Sequence, residues 1–167
     1  MVIKKRYLDK LIKIHEQLVS ILADVAEESE TDPDALKKLS MLSDSWVLTC
    51  VSLHPKTSSK ILEKMLARHS PNAGEDEQWR VHIVGNPALR LSVLQQRSEN
   101  DPSPDVREAA LTALAKRMAQ SPNVTARELF KLYTVLSKTR SVSRGKRQKA
   151  AREALLKHPK FPRNKVK

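Results

Sequence analysis

The sequence predicts an all-α protein, a short solenoid of stacked antiparallel helical hairpins, on three observations. Only 3 glycines, 2 Trp, 2 Tyr and 2 Phe occur among 167 residues rich in Leu, Ala, Lys and Glu, which favours helix over a sheet built from β-branched and aromatic residues. Apolar residues recur at alternating steps of three and four, the period of one helix face. Prolines that stop helices stand at Pro55, Pro87, Pro122 and Pro159, at intervals of 32, 35 and 37 residues, and that spacing suits hairpins that each bury an apolar face on the next.

The first element is an amphipathic helix over 1–28, with Tyr7, Leu11, Ile14, Leu18, Ile21 and Val25 along one stripe and Leu8, Ile12, Val19 and Leu22 widening it. A stripe this wide suits packing on the protein's own core better than a seam between two copies. Residues 27–34 are acidic, end in Asp32-Pro33-Asp34, and read as a loop before a short helix over 35–42. Asp44 can cap a helix over 45–53 that His54-Pro55 stops, and residues 57–59 offer caps for a second helix reaching Arg68.

After a polar loop over 70–76 the same grammar returns. Trp79, Val81, Ile83 and Val84 fall in a short helix, Asn86-Pro87 stops it, and residues 89–97 form its partner. Trp46 and Trp79, 33 residues apart, would hold matching core positions. A third unit opens at Asp101-Pro102-Ser103-Pro104-Asp105, where Asp105 and Glu108 have capping-box spacing ahead of Val106, Ala109, Ala110, Ala113, Leu114 and Met118. Ser121-Pro122 ends it. Thr125 and Glu128 repeat the box, and Leu129, Phe130, Leu132, Tyr133 and Leu136 give the next helix a core face. A basic Ser-rich loop over 137–145, a basic helix over 146–158 stopped by Pro159, and a flexible basic tail over 159–167 complete the chain. One domain is expected over 1–158, with its repeat core at 44–136, since a chain of this size buries about 70% of its unfolded surface.

The run from Trp46 through Cys50, His54-Pro55 and Ile61 to Leu66 resembles a leucine-rich-repeat-variant unit, and Asp105-Val106-Arg107-Glu108-Ala109-Ala110 through Leu114 resembles a HEAT-type unit. With the stretch from Trp79 to Leu94 the likeness covers about residues 44–130. It implies a right-handed stack of paired helices with a concave surface. Function does not follow from it, because such repeats serve scaffolds, nucleic-acid binders and a few DNA-repair enzymes.

Charge carries the sharper functional signal. Residues 1–130 hold 18 basic and 18 acidic side chains, whereas residues 131–167 hold 13 basic ones and only Glu153 against them, so the net charge of +12 resides in the last 37 residues. On a helical wheel Lys146, Lys149, Arg152 and Lys157 lie within about 140° of one another, opposite Ala151 and Ala154. With Lys138, Arg140, Arg144 and Arg147 before them and Arg163 and Lys165 after, they can span several phosphates of a duplex, which offers about one charge per 1.7 Å of axis. The expected function is non-catalytic nucleic-acid binding, DNA ahead of RNA, through this basic segment on a helical platform. The alternative is an adaptor whose concave surface holds an acidic protein partner. Phe130 and Tyr133 have the spacing of core residues rather than of base-stacking ones.

Other chemistries find little support. Cys50 is the single cysteine, which excludes an internal disulfide and a four-cysteine metal site and suits a cytoplasmic location. Cys50 and His54 have a spacing that could present two metal ligands, yet a buried cysteine and a helix-end histidine account for both. A HEAT-like DNA glycosylase would need a carboxylate beside an aromatic cleft; Asp44 with Trp46, or Glu77 with Trp79 and Arg80, are the candidates, and each carboxylate sits where a cap is expected. The remaining expectations are no enzyme, no cofactor, no metal, no membrane partner, and a monomer or weak dimer.

Overall fold

The computed structural model describes residues 5–68, 77–138 and 145–165. Among them are nine α-helices, one final 3-10 turn and no strand. None of these helices is long and apolar enough to cross a membrane. The chain divides into two compact units, residues 1–89 and 90–167.

The first unit contains α1 (Lys5–Glu27), α2 (Pro33–Leu39), α3 (Ser45–Leu53), α4 (Ser59–Ala67) and α5 (Glu77–Gly85). Helix α3 is its centre and packs against α1, α2 and α5, while α4 packs against α5. The core joins Ala23 and Ala26 of α1, Leu36 of α2, Val47 and Val51 of α3, Leu62 of α4, and Ile83 and Val84 of α5, all fully buried. The helix starts follow local chemistry. Asp32 accepts from the Asp34 amide with Pro33 opening α2, and Asp44 Oδ1 accepts from the Trp46 and Val47 amides at 2.9 and 3.0 Å. Each carboxylate thus satisfies amides that have no partner inside the helix.

The second unit contains α6 (Leu91–Asn100), α7 (Pro104–Met118), α8 (Ala126–Lys138), α9 (Gly145–Lys157) and the turn Arg163–Lys165. Helix α7 packs on α6, α8 and α9, and α8 packs on α9. Leu111, Ala115, Val124, Leu129, Leu136, Ala151, Leu155 and Phe161 form the core that holds the last three helices together. Phe161 lies where a flexible tail is expected from Pro159 onward, yet it is buried, with its ring 5.4 Å from Tyr133 edge-on and 6.5 Å from Phe130. This cluster places Phe130 and Tyr133 in core packing.

A pre-proline device recurs in both units. His54 Nδ1 accepts from the Lys56 amide at 3.1 Å, which assigns the ring proton to Nε2, and Nε2 donates to the Glu28 carbonyl at 2.9 Å. His158 does the same, with Nδ1 accepting from the Lys160 amide and Nε2 reaching the Ser121 carbonyl at 3.2 Å. Asn86 is the amide version: Oδ1 accepts from the Ala88 amide at 2.9 Å, and Nδ2 donates to the Ser52 carbonyl at 2.8 Å. Each residue turns the chain into its proline and ties that turn to a helix end 34 to 37 residues back for Asn86 and His158, and 26 back for His54.

Three further expectations change. The Leu11, Ile14, Leu18 and Ile21 stripe of α1 does not pack on the unit's core: these side chains are 58%, 61%, 53% and 59% exposed. The buried face of α1 is instead the one carrying Val19, Leu22, Ala23 and Ala26. Trp46 is half-exposed while Trp79 is buried. Register runs from the stops His54 and Asn86, 32 residues apart, so Trp79 matches buried Val47 and Trp46 matches exposed Gln78. Finally, the cap of α7 is Ser103, whose hydroxyl accepts from the Asp105 and Val106 amides at 3.2 Å, and Asp105 sits inside the first turn.

Candidate nucleic-acid interface

The orientation of α9 is set by its apolar side. Gln148, Ala151 and Leu155, at i, i+3 and i+7, are buried against the second unit, so the opposite side must face outward. Lys149 and Lys157 are exposed there, and Arg152 at the edge is half-buried. Glu153 is exposed between the two lysines, four residues from each. The one acidic side chain of the basic segment therefore sits inside the cationic face, a position its spacing alone reveals.

Helix α8 contributes a second row. Its N-terminus is fixed by a capping box in which the Glu128 carboxylate accepts from the Thr125 amide at 2.8 Å and hydroxyl at 2.6 Å, while Thr125 Oγ1 accepts from the Glu128 amide. These bonds from Thr125 hold the Glu128 carboxyl below its ordinary range. Leu129 and Leu136 are buried, so Arg127, Lys131 and Lys138 face outward, all exposed and within about 40° of one another on the wheel. Lys138 is expected from the sequence. Arg127 and Lys131 extend the site, and their spacing of four and seven residues is the signal that finds them.

The structure thus brings Lys138, Lys149, Arg152 and Lys157 onto the surfaces of two helices that pack together, with Arg163 exposed in the final turn. Lys160 is directed elsewhere: its Nζ donates to the Pro122 carbonyl at 2.7 Å. Arg140 and Arg144 lie outside the described residues. Lys146, Arg147 and Lys165 belong to α9 and the final turn, and their side chains lie outside the described residues.

The residues considered for other chemistry have structural partners. The Cys50 thiol is buried and donates to Glu27 Oε1 at 3.2 Å; burial first, and the Glu27 carboxylate beside it, push its pKa from 9.0 up to about 12. Both ring nitrogens of His54 are hydrogen-bonded to backbone. Asp44 is engaged by two amides, and Trp79 and Arg80 are buried. A hollow of about 210 Å³ lined by Leu48, Met65, Trp79 and Arg68 lies in the first unit, but the Arg68 guanidinium donates to the Ser40 and Met41 carbonyls at the end of α2. Compared with protein-family models, with curated proteins and with solved structures, the chain matches none.

Proposed function

We propose that this chain is a non-catalytic nucleic-acid-binding protein that contacts the phosphate backbone, of DNA ahead of RNA, through the outward faces of α8 and α9 and the basic segments beside them. Its helices would serve as a HEAT-like platform that keeps these faces in place. One observation carries the proposal: 13 basic side chains against one acidic in residues 131–167, beside an even balance in the rest of the chain. Cations used only for solubility are interspersed with acids over a surface, whereas a phosphate backbone calls for one contiguous cationic face.

The same segment also supplies core residues, Ala151, Leu155 and Phe161, so a test must change charge and keep the helix. Duplex binding by the full chain, followed by fluorescence anisotropy at several salt concentrations, should weaken so that log Kd rises linearly with log salt, with a slope of about 0.9 per phosphate contact. Lys138→Glu, Lys149→Glu and Lys157→Glu together should flatten that slope by about 3. An acidic-protein adaptor is the competing outcome. Absence of duplex and RNA binding at low salt would sink the nucleic-acid reading in its favour.

A further inference from the structure

We propose that α1 pairs antiparallel with α1 of a second copy, making the protein a homodimer through its N-terminal helix. Leu11, Ile14, Leu18, Ile21 and Val25 follow steps of three, four, three and four, so Leu11, Leu18 and Val25 take the first and Ile14 and Ile21 the fourth position of a heptad. All five are exposed. The buried face of α1, at Val19, Leu22, Ala23 and Ala26, is turned about 100° away from this stripe. Every residue from 10 to 18 is exposed, so only the second half of the helix packs on its own unit among the described residues. An apolar seam of coiled-coil period that its own core does not use marks an interaction surface.

Charge selects the occupant and its direction. Placing Leu11 opposite Ile21 and Ile14 opposite Leu18 of a second copy gives layers that each hold one leucine and one isoleucine. In that register Lys10 flanks the second copy's Asp24, and two-fold symmetry makes the ion pair twice. Both residues are exposed and occupy the same flank of the seam. They cannot meet within one copy, since 14 residues of helix separate them by about 21 Å. A parallel pair would set Lys10 beside His15 and Gln17 beside Leu22, which its own unit already half-buries. Antiparallel pairing also lays the exposed residues 10–18 of each helix along residues 14–22 of the other. The four leucine–isoleucine layers, with Val25 beyond them at each end, make a small contact beside the roughly 1,200–2,000 Å² of a standard interface, and a weak, concentration-dependent dimer is expected.

Sedimentation equilibrium of the full chain over low to high micromolar concentration tests this directly. A monomer–dimer equilibrium is expected. Leu18→Glu should weaken it at least tenfold with an unchanged helical circular-dichroism spectrum, since Leu18 is half-exposed and stands outside the buried core. Lys10→Glu and Asp24→Lys should each weaken it about tenfold by turning two attractions into repulsions, and the double variant should return close to the original affinity. A monomer at every concentration overturns the proposal, as does a tetramer, or a dimer indifferent to Leu18→Glu. A dimer that both single charge variants weaken and the double variant fails to restore overturns the antiparallel arrangement. Binding of the monomer to anionic lipid vesicles, with no self-association, would assign the stripe to a membrane surface instead.

Discussion

At His54 a single side chain closes a turn and couples two helix ends. Replacing it with alanine takes the acceptor from the Lys56 amide and one of two donors from the Glu28 carbonyl, which keeps the Thr31 amide, and each part-buried bond lost is worth about 0.5–1.5 kcal/mol. His54→Ala should therefore lower the unfolding free energy by about 1–3 kcal/mol, read as a lower urea midpoint at unchanged m-value. His54→Asn, which imitates Asn86 and keeps the turn acceptor, should lose about half of that. An alanine variant within about 0.5 kcal/mol of the parent would show that the bonds carry no net stability. Cys50 offers a second check at this scale. Its folded pKa of about 12 exceeds the ordinary 9.0, so the folded chain holds the thiol proton more tightly than the unfolded one. Stability from this group is complete below about pH 9 and declines as pH rises toward 12. Alkylation of the native thiol near pH 8 should track unfolding, and rapid labelling in native buffer would contradict the buried site. The sequence marks His54 and Cys50 only as a helix-end and a core residue, because their partners Glu28 and Glu27 lie 26 and 23 positions away.

At the scale of elements, what is legible depends on how local the cause is. Helix α3 runs over the expected Ser45–Leu53 because Asp44 and His54-Pro55 mark both ends within one turn. The start of α7 is just as local, yet two acceptors compete for it: Ser103 precedes Pro104 and takes both amides, which leaves Asp105 to favour the helix dipole from the first turn. Ser103→Ala should cost about 1 kcal/mol, a fall of about 2–4 °C in melting temperature for a chain of this length, and Asp105→Ala should cost less. Reversal of that order in calorimetry would return the cap to Asp105. The stripe of α1 shows where legibility ends. Periodicity identifies an apolar face but carries no information on what covers it, and the face of smaller side chains at Val19, Leu22, Ala23 and Ala26 wins the core because its alanines let α1 approach α3 closely. The basic face of α9 is readable for the converse reason, since buried Ala151 and Leu155 leave its lysines one direction to point. Arg127 and Lys131 escape notice in the sequence because one precedes and the other only opens the charge run, and both share their helix with Glu128.

Over the whole molecule, the two units differ in charge far more than in fold. Residues 1–89 hold 12 basic and 13 acidic side chains, and residues 90–167 hold 19 and 6, so one unit is near neutral and the other carries +13. Like charges crowded on the second unit raise its free energy through self-repulsion, and a bound polyanion relieves that repulsion while adding its own contacts. At a free duplex concentration 100 times Kd, binding to the native state alone stabilises by about 2.7 kcal/mol. Hydrogen exchange resolves where that stabilisation falls, since amides that open only by unfolding a unit report the stability of that unit. Duplex at low salt should slow exchange in α7, α8 and α9 by up to about 100-fold and leave α3 and α5 unchanged. Raising salt should abolish the difference, because counterion release no longer favours the complex. Equal protection of α3 and α5 would move the contact surface to include the neutral unit, and protection that persists at high salt would mean that contacts other than phosphate pairing hold the complex.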